Sequence, residues 1–166
     1  MTAKPFAIKI MRIKLLVVGK TTDSRIVSLI DDYQNRLKHY VPFAIEVLPE
    51  LRNAKSLSEE LQKTAEGEMI LKAVSAAEEM ILLDEHGKEF RSMELSAYLQ
   101  KKMSAGRAIV FVVGGPYGFS EAVYARANGK ISLSKMTFSH QMVRLFFVEQ
   151  IYRAMTILRH EPYHHE

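Results

Sequence analysis

The stretch AIVFVVGGPYGFS, residues 108–120, is apolar without a break from Ala108 to Val113 and then gives way to Gly114-Gly115-Pro116-Tyr117-Gly118. A short run with no alternation is what a strand needs when both faces of its sheet are covered, as in parallel sheets flanked by helices. The glycines and the proline that follow end the strand and bring bare backbone to its carboxyl end.

The same rhythm extends in both directions. On the N-terminal side, RIKLLVV (12–18) reads as a strand ending at Gly19, and Asp23 or Ser24 caps a helix over about 24–40 that Pro42 closes. FAIEVLP (43–49) is a second strand, RNAKS a connector, and 56–76 a longer helix interrupted near Gly67. EMILLD (79–84) is a third strand, EHGK turns out of it, and Ser92 caps a helix through about Met103. On the C-terminal side come a short helix near 120–127, a strand ISLSKMTF (131–138) and a final helix over about 140–159. Strands and helices in alternation predict an α/β fold with a mainly parallel sheet flanked by helices on both faces. Ligands of such sheets sit at the carboxyl ends of strands, which points to Leu83-Asp84, Gly114–Gly118 and Leu133–Phe138.

Bulk composition narrows the class. The 166 residues suit one domain, and 48% hydrophobic content suffices for a core. With no cysteine, thiolate metal sites, disulfides and cysteine nucleophiles are excluded. No apolar run is long enough to span a bilayer, and MTAKPFAIKIMRIK lacks the apolar core of a signal peptide, so a cytoplasmic protein is expected. A net charge of +4 permits an anionic partner such as RNA without requiring one. Residues 1–10 add nothing periodic and read as an N-terminal extension, leaving 11–166 as a single domain.

Two glycine motifs invite a phosphate site, and neither sustains it. VVGKTT (17–22) imitates the end of a P-loop, but the required earlier glycine is replaced by Lys14, so the backbone cradle cannot form. In GGPYG, Pro116 removes a backbone donor; a rigid turn and the lining of a flat ligand both remain open. The helix QMVRLFFVEQIYRAMTIL (141–158) has no broad polar face and is therefore buried on several sides. Its charges must be paired or face a site: Arg144 with Glu149 is one pairing, Arg153 against a phosphate another. Of six histidines, His140, His160, His164 and His165 stand from residue 140 onward. The tail RHEPYHHE (159–166) can be a frayed end, a metal ligand set or a segment docked over a site. An untethered tail is poorly preorganised for metal, and no metal site is expected.

Taken together, LLD, VVGGPYGF, SLSKMTFSHQMVR, EQIYRA and PYHHE, in this order, closely resemble the ribosomal RNA large subunit methyltransferase H family of the SPOUT class. The resemblance runs from Met11 to the end. It implies an α/β fold with a C-terminal trefoil knot, a homodimer, and S-adenosylmethionine as cofactor. The activity it implies is methylation of N3 of a pseudouridine in 23S rRNA within the assembled ribosome. Carried over residue by residue, Leu83, Gly114, Leu133, Ser134, Lys135, Met136, Thr137 and Phe138 would contact the cofactor. Arg144 and Tyr152 would face the substrate, with His164, Arg153 and Tyr163 at the chemistry and His164 as the candidate base. Some members carry proline where this chain has Ser139. Alternatives are a SPOUT methyltransferase acting on another RNA such as tRNA, or a non-catalytic ribosome-binding assembly factor.

Overall fold

The apolar run becomes the middle strand, β4 (Ile109–Val113), of a five-stranded sheet, and every one of its residues is buried. A computed structural model describes residues 12–166; the extension over residues 1–10 lies outside the described residues. Around β4 the chain lays down β1 (Ile13–Val18), β2 (Phe43–Leu48), β3 (Glu79–Glu89) and β5 (Gly129–Ser132) in the order β2-β1-β4-β3-β5, each neighbouring pair parallel. Between them run α1 (Ser24–Leu37), α2 (Glu59–Ala73), α3 (Ser92–Ser104) and α4 (Glu121–Arg126), and α5 (His140–Leu158) closes the chain.

Alternate side chains of the central strands serve two cores. Ile13, Leu15, Val17, Ile109, Phe111 and Val113 point to the side where α1 and α3 both pack against α5. Leu16, Val110 and Val112 point to the other, with Ile70 of α2 and Val123 of α4. Phe111 meets Phe147 of α5 with ring centroids 4.8 Å apart and the planes tilted at 53°, a favourable aromatic geometry. Both faces of the sheet are thus covered, which is why β4 carries no polar residue and β1 only Lys14, paired with Glu46 at 2.9 Å.

Helix ends follow local chemistry. Asp23 caps α1, its carboxylate accepting from the N–H groups of Arg25 at 2.9 Å and Ile26 at 3.4 Å. Residue 92 is already helical: Arg91 takes the cap position of α3, and Glu94 reaches back to its N–H at 3.0 Å. Gly67 does not interrupt α2. It lies buried in a continuous helix, where a Cβ would stand 2.4 Å from Ser120 Oγ, so the glycine lets α4 start against α2.

Two strand ends also differ from expectation, and both shape the site. β5 stops at Ser132, short of the expected 138, because serines turn the backbone: Ser132 Oγ donates to the Ser134 carbonyl at 2.8 Å, and Ser134 Oγ accepts from Met136 N–H at 3.0 Å. β3 does not leave the sheet at Glu85–Lys88. Asp84 Oδ1 accepts from His86 N–H at 2.8 Å and bends the chain outward, and the strand then resumes, so that Leu83 and Lys88 both oppose Ile131.

Candidate functional site

At the carboxyl ends of β3, β4 and β5 the chain encloses a cavity of about 440 Å³, inside the range of roughly 300–1,000 Å³ common for small-molecule sites. Its walls are the β3 bulge, the β4–α4 loop and the segment from Ser132 into α5. Leu83, Val113, Phe119 and Leu133 supply apolar surface, and Tyr117 and Met136 stand at the rim.

The β4–α4 loop is a tight turn with Pro116 at its second position, closed by Gly118 N–H donating to the Gly115 carbonyl at 3.2 Å. Beneath it lies the buried Glu66 of α2. A Cβ at Gly115 would fall 2.2 Å from Glu66 Oε2, so glycine lets the loop settle this low with the Glu66 carboxylate left where it is. GGPYG is therefore both a rigid turn and a pocket wall.

Asp84 is the polar centre of the β3 wall, its side chain only 6% exposed. Oδ2 accepts from the Tyr124 hydroxyl, and Oδ1 accepts from His86 N–H and lies 3.2 Å from His86 Nδ1. Burial pushes its pKa up, but the bonds from Tyr124 and His86 outweigh that and hold the carboxyl below the usual aspartate range. Tyr124 is pushed up to about 12, by burial first and then by the hydrogen bond to Asp84. It therefore remains a protonated donor, its ring edge-on to Phe119 at 5.7 Å.

Of the residues carried over for the cofactor, Leu83, Gly114, Leu133, Ser134, Met136, Thr137 and Phe138 all line this cavity. Lys135 does not; its ammonium points outward, 3.9 Å from Glu89. Ser139 caps α5 by accepting from Met142 N–H at 3.1 Å, giving the segment a defined exit. Sequence reasoning reached Leu83-Asp84 as a strand end but gave Asp84 no role, and it missed Tyr124, His140 and Val143. The strand-end rule was signal enough for Asp84. Nothing local marks Tyr124, which reaches the wall from α4.

The other carried-over set gathers elsewhere. Arg144 is 4% exposed and turned into the protein. It donates to the carbonyls of Gly19 at 2.8 Å and Val18 at 3.0 Å and to Thr21 Oγ1 at 3.0 Å, leaving Nε without a partner among the described residues. It does not pair with Glu149. Gln141 adds to the grip, accepting from Thr22 N–H at 2.7 Å, so VVGKTT is a turn clamped by the start of α5.

Glu149 serves the tail. It accepts from Arg153 at 2.6 Å and from the Tyr163 hydroxyl at 3.0 Å, while Arg153 also meets His164 Nδ1 at 3.2 Å. Tyr152 lies among Tyr33, Tyr40 and Tyr163, with Tyr163 4.8 Å away edge-on. Tyr40 donates to Glu161 at 2.5 Å, and Arg159 bonds the His39 carbonyl at 2.9 Å. The tail is thus docked rather than frayed, and His164, Tyr163, Arg153 and Tyr152 form one cluster. That cluster is not at the cavity of its own chain. From Val143, which lines the cavity, to Arg153 is about 15 Å along α5 at 1.5 Å per residue. Among the described residues no group of three His, Asp or Glu side chains gathers as a metal site, and no helix is long and apolar enough to cross a membrane.

Comparison with known proteins shows the family of the chain. A family model described as predicted SPOUT methyltransferase matches residues 11–164. The chain is 62% identical over 157 residues to ribosomal RNA large subunit methyltransferase H of Parabacteroides distasonis, covering 94% of this chain and all of that protein. It is 58% identical to the protein of that name in Flavobacterium johnsoniae and 59% to that in Bacteroides thetaiotaomicron, each over 157 residues with the same coverage.

Proposed function

The chain belongs to the SPOUT methyltransferase family, among proteins of the ribosomal RNA large subunit methyltransferase H kind, and on that premise we propose that it methylates ribosomal RNA with S-adenosylmethionine. The acceptor is N3 of a pseudouridine in a loop of 23S rRNA, presented by the assembled ribosome in the cytoplasm. Residues 11–166 are the methyltransferase domain and 1–10 an extension. Two copies form a homodimer, and the C-terminal part of each is drawn through a trefoil knot.

One observation carries this proposal: the ends of three adjacent strands surround a single cavity made of the residues a nucleoside cofactor needs. The donor set fits the group. Leu83, Val113 and Leu133 offer apolar surface to an adenine, and the β4–α4 loop from Gly114 to Gly118 lines the cavity beside them. Leu83, Gly114 and the segment 133–138 would hold the cofactor, with Lys135 contributing backbone rather than its outward side chain. When bound, S-adenosylmethionine supplies an electrophilic methyl group on a sulfonium sulfur.

Displacement at a methyl carbon requires alignment more than a nucleophilic side chain. The imide N3 must, however, lose its proton. Arginine can only donate, so in the Arg153–His164 contact Nδ1 accepts and Nε2 carries the ring hydrogen. His164 gains a basic nitrogen when Arg153 turns away from it to an RNA phosphate or to the negative charge on the acceptor base. Tyr163 serves as a donor: burial, then its bonds to Tyr33 and Glu149, raise its pKa and keep the phenol protonated. Tyr152, packed edge-on against Tyr163, holds that tyrosine in place on the substrate side. Arg144 holds the loop after β1 instead of touching RNA. Because cluster and cavity stand about 15 Å apart on one helix, the tail of one protomer serves the cavity of its partner.

The test is methyl transfer from S-adenosylmethionine to intact ribosomes, free large subunits and naked rRNA, with the product mapped. Label in 23S rRNA at a pseudouridine N3, strongest on intact ribosomes, is expected. Label confined to tRNA, or none at all from a folded protein, contradicts the proposal.

A further inference from the structure

The cavity's charge is opposite to that of the protein. The chain carries a net charge of +4, yet among the described residues those lining the cavity include the carboxylates of Asp84 and Glu85 and no lysine or arginine. Glu85 and His86 are exposed at the rim, whereas Asp84 is buried in the wall. Its partners are the neutral hydroxyl of Tyr124, the N–H of His86 and the His86 ring. The two neutral donors, the Tyr124 hydroxyl and the His86 N–H, make a buried carboxylate tolerable without cancelling its charge. Tyr124 and the β3 bulge thus hold an anion in place whose field reaches into the cavity.

We propose that Asp84 is a specificity-determining residue that favours a cationic ligand in this cavity, so that the sulfonium cofactor is held over its neutral-sulfur product. This rests on the assignment of S-adenosylmethionine to the cavity. S-adenosylmethionine and S-adenosylhomocysteine share adenine, ribose, ammonium and carboxylate. They differ by a methyl group and one positive charge, which transfer of the methyl removes. A fixed anion discriminates between them by charge alone, retaining the donor before transfer and weakening the hold on the product afterwards. The same anion disfavours RNA phosphate in the pocket, so the tail cations and the cavity attract different partners.

Calorimetry on the full chain tests this with both ligands, comparing wild type, Asp84→Asn and Tyr124→Phe. Asp84→Asn should weaken S-adenosylmethionine by about tenfold and S-adenosylhomocysteine by no more than about twofold. Tyr124→Phe, which keeps the charge, should leave the ratio of the two affinities unchanged. Equal weakening of both ligands by Asp84→Asn would mean that the residue holds a shared group or only the fold, and overturns the inference. Should that variant not fold, wild type is compared on S-adenosylhomocysteine and an analogue with a protonated amine in place of the sulfur. The amine should bind more tightly, and equal or weaker binding overturns the inference. If wild type binds none of these ligands, the cofactor assignment itself fails, and the inference falls with it.

Discussion

Arg144 and Arg153 sit nine positions apart on one helix and do opposite work. Arg144 spends its guanidinium on buried carbonyls of Val18 and Gly19, and each buried acceptor left unpaired costs about 1–3 kcal/mol. Arg144→Ala should therefore lose at least about 2 kcal/mol in urea unfolding, and lysine, lacking the planar fork, should not restore it. A loss under about 0.5 kcal/mol would mean that the loop after β1 does not depend on this clamp. Arg153 faces the tail, and its contacts with Glu149 and His164 are ones that can be exchanged for RNA. Sequence could not separate the two residues. Both are cations on an apolar helix, and the partners that decide between them lie over a hundred positions away for one and in the adjacent tail for the other.

Among the elements, the sheet is the most legible part of the molecule. Central parallel strands must be apolar on both faces, so Ile109–Val113 and Ile13–Val18 announce themselves. The edges are harder to read, because local polar groups override β propensity there. Ser132 and Ser134 end β5 early, and Asp84 opens a bulge that sequence reads as an exit from the sheet. Gly67 illustrates the same limit in a helix: its reason is Ser120, in another element. Alanine there gains about 1 kcal/mol of helix propensity but puts a Cβ 2.4 Å from Ser120 Oγ. Gly67→Ala should thus lower the melting temperature, and adding Ser120→Ala should recover part of the loss beyond additivity. Additive effects would show that α2 and α4 do not meet through this pair.

At the scale of the molecule, the cavity and the tail cluster stand at opposite ends of α5. The cavity at the start of α5 was legible from strand ends and glycines, and the family resemblance named Leu83, Gly114 and most of the segment 133–138 in its lining. The tail's docking against α1 was not, because RHEPYHHE has no periodicity and its anchors, Tyr33, Tyr40 and Glu149, are distributed through the chain. A separation of about 15 Å along a rigid helix cannot be closed within one protomer while both ends stay packed. A symmetric dimer resolves it if each tail reaches the other chain's cavity, since one interface then completes both sites.

The most direct test of that composite site mixes two inactive chains. Leu83→Arg, which fills the cavity with a long cationic side chain, disables the cavity, and Arg153→Ala disables the tail. After unfolding and refolding together in equal amounts, half of the dimers are mixed and each holds one intact cavity facing one intact tail. Methyl transfer to ribosomes should then recover to about a quarter of the wild-type rate. Activity no higher than that of either variant alone would contradict a site shared between protomers.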